Sequence, residues 1–192
     1  MDTFNYNLHS GGADGSDTFW ELIGKSYGLL SNVFHYFYMK ETPRGNTQIT
    51  EEEFEDGIRH VYKANNTLQR NISNNYTMYL LARNWIQVRN SDIVVAIGEF
   101  TSSRTAVVSG GTGWEVQMAI DSHKPVFFFN QLDCHWYKFN HNIQYWSMIL
   151  DAPNLPPNFA GIGTRQITPD GIKAIISCYE ATTNELNKSL FN

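Results

Sequence analysis

Cysteine is scarce in this chain: Cys134 and Cys178 are the two thiols in 192 residues, and they form no C-x-x-C pair. One bridge or two reduced thiols are both open, and reduced thiols are expected in a domain of this size. Cys134 precedes His135, but neighbouring Cys and His make poor ligand geometry and no second pair is spaced to complete a site. Neither a metal nor a cofactor is expected. An excess of positive charge is also missing. Lys and Arg total 14 against 19 Asp and Glu, a formal charge of −5, and no Lys/Arg cluster occurs. The footprint of a duplex nucleic-acid binder is therefore absent, and nucleic acid is not expected as the main partner. Long apolar runs are lacking too. The longest are about a strand in length, too short to cross a bilayer, so no membrane partner is expected. The first residues, Met1-Asp2-Thr3-Phe4-Asn5, have neither a basic segment nor an apolar one. The expected location is the cytoplasm of a bacterial cell or an infected host.

Hydrophobic residues make up 42% of the chain, enough for one sizeable core, and no repeat or long linker divides it. One domain over 1–192 is expected. Asp92-Ile93-Val94-Val95-Ala96-Ile97-Gly98 and Pro125-Val126-Phe127-Phe128-Phe129 are continuous apolar runs, the pattern of strands buried on both faces. Between them lie a glycine-rich turn and a helical stretch from Trp114 to Ser122, which completes a βαβ unit of a parallel sheet. Thr50 and Glu53 form a capping box for a helix reaching about Leu68. Tyr76, Leu80, Leu81, Trp85 and Val88 recur at helical spacing over Asn75 to Arg89. Asn32 to Met39 reads as an aromatic strand, and Pro153 to Asn158 as a loop. Thr168 caps a C-terminal helix with Pro169 in its first position and an apolar stripe of Ile172, Ile175, Ile176 and Tyr179. The aromatics Phe34, Tyr36, Tyr38, Trp136 and Tyr137 are expected in the core, with stacking on a base as the alternative.

The 14 glycines are clustered. Ser10-Gly11-Gly12-Ala13-Asp14-Gly15-Ser16-Asp17 follows Tyr6-Asn7-Leu8-His9 and opens a helix. Ser109-Gly110-Gly111-Thr112-Gly113 opens the helix of the βαβ unit, and Ala160-Gly161-Ile162-Gly163-Thr164-Arg165 precedes the C-terminal one. A glycine turn before a helix lets backbone N–H groups approach an anion, with the positive end of the helix dipole behind them. Ser10, Thr112 and Thr164 add hydroxyls. Glycines also serve simply as turns, and any single cluster is a weak signal. Three of them, at strand ends of one parallel sheet, point to a shared rim and a phosphate-bearing ligand.

These loops resemble a known family. Ser109-Gly110-Gly111-Thr112-Gly113 is similar to the P-G-G-x-G-T-x-x-E loop of the cytokinin-activating "lonely guy" phosphoribohydrolases and of the wider SLOG superfamily. The first cluster resembles the S-G-G-A-x-G-A-D loop of phage and bacterial members. The third, with Thr168-Pro169, resembles their A-G-I-G-S-R-x-T-P motif. In those relatives the A-G-I-G-S-R unit comes first, whereas here it is C-terminal, and joining Asn192 to Met1 would restore their order. The resemblance therefore implies an α/β, Rossmann-like parallel sheet with helices on both faces, in a circularly permuted SLOG-type domain. Part of the catalytic pattern departs. Arg83, nine residues before Asp92, matches the family's arginine, but the loop Thr falls on Trp114 and the catalytic Glu on Gln117, whose amide does not titrate near neutrality. Glu115 lies two residues earlier on the helix and points to a different face.

The expected ligand-binding set is Ser10, Gly11, Gly12, Asp14, Arg83, Gly110, Gly111, Thr112, Gly113, Glu115, Gly163, Thr164 and Arg165. Arg165 forks onto phosphate, while Asp14 and Asp17 hold ribose hydroxyls or cap a helix. Arg89 reads as a solvated helix end. The resemblance implies a binder of a nucleotide-derived molecule such as an ADP-ribose or NAD derivative, with sequestration in antiphage signalling as one role. The alternative is an N-glycoside or phosphoribosyl hydrolase using Arg83 with Glu115 or Asp14. A DNA-binding module ranks third. A homodimer or higher homo-oligomer stays open.

Overall fold

The computed structural model describes residues 5–39, 44–72, 74–101 and 106–190. The start of the N-terminal segment read above, and the junction of Asn192 with Met1, lie outside those residues. The chain runs β1 (Tyr6–Ser10), α1 (Ser16–Ser26), β2 (Leu30–Phe37), β3 (Thr47–Gln48), α2 (Glu51–Leu68), α3 (Asn75–Asn90), β4 (Ile93–Gly98), α4 (Gly110–Asp121), β5 (Val126–Asn130), β6 (His135–Asn140), β7 (Tyr145–Ile149), β8 (Asn158–Gly163) and α5 (Pro169–Leu190). Eight strands form one sheet in the order β3-β2-β1-β8-β4-β5-β6-β7. It is parallel from β3 to β5, and β6 and β7 extend it antiparallel.

The apolar strands are buried on both faces because helices cover both. Val94 and Ala96 of β4 pack with Val61, Leu81, Trp85, Ile86, Met118 and Ala119 of α2, α3 and α4. Val95 and Ile97, the alternate residues, pack with Trp20, Ala174, Ile175 and Tyr179 of α1 and α5. A strand with both faces covered has no use for polar alternation, hence its unbroken apolar run. Tyr179 carries its hydroxyl into the core, where it donates to the carbonyl of Trp20 at 2.8 Å. Among the described residues no helix is long and apolar enough to cross a membrane.

The last strand in sequence, β8, lies between β1 and β4 and pairs with both, with Leu8 opposite Phe159 and Val95 opposite Gly161. The C-terminal unit is thus the centre of the sheet rather than an appendage. From β1 the chain moves to one side of β8, and from β4 to the other. Such a reversal leaves a crevice above the carboxyl ends of the strands.

Two expectations need correction. The helix read from Trp114 begins at Gly110, so Gly110, Gly111 and Gly113 form its first turn instead of a turn before it. First-turn N–H groups lack intrahelical acceptors in any sequence, so weak helix formers are tolerated there. The sheet is not wholly parallel: residues 135–149 form a hairpin, where the sequence was read only as core aromatics. Its buried residues, Trp136 and Phe139, are three apart and so lie on opposite faces of the strand, which leaves no period of two for the sequence to show. The first cluster opens its helix as expected, with Gly15 at φ +93° making a sharp entry before Ser16.

Candidate functional site

A cleft of about 370 Å³ opens at the carboxyl rim between the β1, β4 and β8 loops, a size suited to a small ligand. All three glycine clusters reach it. Gly11, Ala13 and Asp17 line it from the first, Ser109, Gly110, Gly111, Thr112 and Glu115 from the second, and Gly163, Thr164 and Arg165 from the third. Helix α3 forms the remaining wall through Thr77, Leu80, Leu81, Arg83 and Asn84.

The first and third loops are locked together by backbone. The N–H and hydroxyl of Ser16 both donate to the Thr164 carbonyl, at 3.0 and 2.8 Å. A Cβ on Gly15 would fall 2.5 Å from the Arg165 carbonyl oxygen, so glycine is required there by both contact and positive φ. The second loop is held from behind. Arg70, at the end of α2, donates to the carbonyls of Val108 (2.8 Å) and Gly110 (3.1 Å) and lies over the Trp114 ring. Ser109 makes no side-chain cap, which leaves the N-terminus of α4 facing the cleft without a local acceptor.

Beneath the loops lies a charged cluster of Arg83, Asp17 and Glu115, with 7%, 7% and 4% exposure. Arg83 Nη1 donates to the carbonyls of Gly11 (2.7 Å) and Tyr36 (2.8 Å), which anchors the guanidinium under the first loop. Asp17 accepts from the Ala13 N–H at 3.1 Å. A Cβ on Gly11 would sit 2.9 Å from the Asp17 carboxylate and 3.0 Å from Arg83, so the missing side chain leaves the gap between these charges open. Burial raises the pKa of Asp17, opposed by N–H donors of Ala13 and Gly11 and by Arg83. Burial pushes Glu115 well above the usual carboxylate range, reinforced by Asp17 and opposed by Arg83. Both acids share one guanidinium, and the stronger upward shift at Glu115 favours its neutral form over that of Asp17. Glu115 Oε1 and Arg83 Nε are buried without a partner among the described residues, and each has capacity for a hydrogen bond that the protein leaves unused.

Of the residues expected to bind ligand, Gly11, Arg83, Gly110, Gly111, Thr112, Glu115, Gly163, Thr164 and Arg165 come together here. Ser10, Gly12, Asp14 and Gly113 do not line the cleft. Ser10 is fully buried at the end of β1, and Gly12 packs against His35 and Arg44. The Asp14 side chain is 96% exposed and faces Arg44 at 3.8 Å. Gly113 lies against the Val108 carbonyl and Arg70, on the side of α4 away from the cleft. Gln117 also points away and donates to Asp121 at 2.8 Å. Glu115 and Gln117 do sit on different faces, as the helical spacing requires, but the face turned to the cleft carries the acid. Arg89, read as a solvated helix end, is exposed in the last turn of α3 and pairs there with Glu53 of the α2 capping box.

Sequence reasoning did not single out Thr77, Leu80 and Asn84 as cleft residues. Their i, i+3, i+7 spacing places them in one row beside Arg83, and that row was the available signal. A larger hollow of about 590 Å³ lies at the opposite rim, where β1 and β4 begin, between Tyr6, Ile93, Phe127, Leu155 and Leu186. It has no glycine loop and no unpartnered buried polar atom, so volume alone does not mark the site. No family model, no curated protein and no solved structure matches this chain.

Proposed function

We propose that this chain binds a nucleotide-derived molecule in the rim cleft, as a circularly permuted domain of the SLOG type. The observation that carries the reading is the convergence of three glycine loops and an uncapped helix N-terminus over a buried, anchored arginine. A phosphate or diphosphate fits the α4 N-terminus, where backbone N–H groups and the helix dipole favour negative charge. Arg165, exposed at the rim, supplies a planar fork for the same group. The ribose then lies toward Asp17 and Glu115. The central place of β8 supports the permutation, because rejoining the C-terminal unit to β1 leaves the sheet order intact. An ADP-ribose or NAD-derived signal suits this chemistry, and holding it without turnover amounts to sequestration.

One observation favours a second reading, hydrolysis of an N-glycosidic bond. The carboxyl facing the cleft is Glu115, whose neutral, proton-bearing form burial favours beside Arg83. Cleavage breaks the bond between the sugar carbon and the base nitrogen. Water supplies the new oxygen on the sugar, and the leaving base needs a proton, which Glu115 holds. Asp17, hydrogen-bonded by the Ala13 N–H, would receive the proton from water.

Incubation with ADP-ribose, NAD and nucleoside monophosphates, followed by denaturation and separation, decides between the two. Recovery of intact ligand with the protein is the expected outcome. A free base identifies a hydrolase, and neither intact ligand nor product would remove both readings.

A further inference from the structure

The two edges of the sheet are built differently. At one end β3 has only two residues, Thr47 and Gln48, both polar. Shortness and polarity are common ways of preventing edge-to-edge pairing. At the other end β7 spans Tyr145–Ile149, and among the described residues it pairs only with β6. From Asn142 to Leu150 there is no charged residue and no proline. Four of the nine large hydrophobics exposed among the described residues fall within this stretch: Ile143, Tyr145, Met148 and Leu150, the last at 90%. Among the described residues, none of the usual protections of a free edge is present at β7.

We propose that β7 is a homodimerisation edge, on which a second copy of this chain pairs antiparallel through β7 to continue the sheet. In an antiparallel ladder with β6, alternate residues of β7 turn their N–H and C=O groups outward, and an identical strand offers the same groups in reverse. A two-fold axis through Ser147 places Trp146 opposite Met148 of the second copy and Tyr145 opposite Ile149. Trp146 belongs to the core on the α2–α4 face and Ile149 packs on the α1–α5 face, so each face of the sheet runs on into the matching face of the second copy. The contact is isologous and closes after two copies. A second copy also meets the electrostatic requirement. Each chain carries a formal charge of −5, yet the edge is uncharged, so pairing brings no like charges face to face. The dimer leaves the rim cleft out of the interface, since the cleft is lined by no residue of β6 or β7.

Sedimentation of the full chain at about 50 µM, a concentration well above a low-micromolar dissociation constant, is expected to give a dimer. Met148→Lys and Tyr145→Lys change exposed side chains and should leave thermal melting unchanged when the proteins are compared as monomers, below the dissociation constant. Each puts an ammonium into the paired edge and should raise the dissociation constant at least about tenfold. Hydrogen exchange on the wild type tests the same edge without a variant: amides of 145–149 should lose protection on dilution while those of β4 do not. A wild-type monomer at the higher concentration, a dimer kept by both folded variants, or an open-ended assembly would each overturn the proposal.

Discussion

Gly15 of the first loop and Gly111 of the second do opposite work, although both clusters look alike as sequence. Gly15 is enclosed: a side chain there meets the Arg165 backbone, and φ is +93°. Its residue type is explained by folding alone. Among the described residues nothing lies within 4 Å of the place a Gly111 Cβ would take, and its φ is not positive, so their packing does not demand glycine. Under the proposed function, the close approach of a ligand to this first turn accounts for the residue. The comparison separates a glycine that builds the fold from one that the fold leaves free.

The largest effect is expected where the fold needs its glycine. Gly15→Val combines backbone strain with a clash on an immobile carbonyl and should cost about 3 kcal/mol or more, read as a drop in the denaturant midpoint. A stable Gly15→Val protein would mean that the first and third loops are not locked. Next comes Arg165, which faces solvent at the rim. Arg165→Ala should leave melting unchanged and weaken ligand binding by about 1.5–3 kcal/mol, the range for hydrogen bonds to a charged group. Equal affinity by calorimetry would place the phosphate elsewhere.

The buried acids give a pH signature of intermediate size. Burial raises the Glu115 pKa in the folded protein, so the folded state holds a proton that the unfolded state has released above its ordinary value of 4.5. Stability from this group is therefore full below that value and lost as pH rises toward the folded pKa, with a slope of at most about 1.4 kcal/mol per pH unit. Asp17 is raised too and adds to the same trend. Glu115→Gln should remove the Glu115 share, so melting temperature should fall less steeply with pH than in the wild type. Parallel curves would show that Glu115 is ionised in the fold. Smallest of all, Gly111→Ala should raise stability by about 0.5 kcal/mol, because alanine is the better helix former and meets no neighbour. A loss of stability there would mean that Gly111 is as constrained as Gly15.

Much of the frame was legible because it follows from short-range rules. The capping box forms with both of its hydrogen bonds, Glu53 N–H to Thr50 Oγ1 and Thr50 N–H to the Glu53 carboxylate. The apolar runs at 93–98 and 126–130 are adjacent parallel strands. Pro169 opens the last helix. What escaped depends on partners distant in sequence. The hairpin at 135–149 has polar and aromatic residues mixed, and only the free edge of β5 made it a strand pair. The rotation of α4 about its axis decided that Glu115, not Gln117, meets the cleft, and that rotation is set by Gly113 packing on Val108 and Trp114 bonding Asn65. In the same way Gly12 and Gly113 fell within glycine clusters, yet they serve packing, because a cluster in sequence spreads its residues over several directions in space.

Calorimetric titration of the wild type and Gly111→Asp, side by side, with ADP-ribose, NAD and nucleoside monophosphates tests the central claim most directly. A Cβ at position 111 meets nothing within 4 Å among the described residues, and the carboxylate it would carry puts negative charge at the helix N-terminus proposed to hold the anion. The account predicts that at least one of these ligands binds the wild type and that the same ligand fails to bind an equally stable Gly111→Asp protein. Binding of none to the wild type, or equal binding to both proteins, would contradict it.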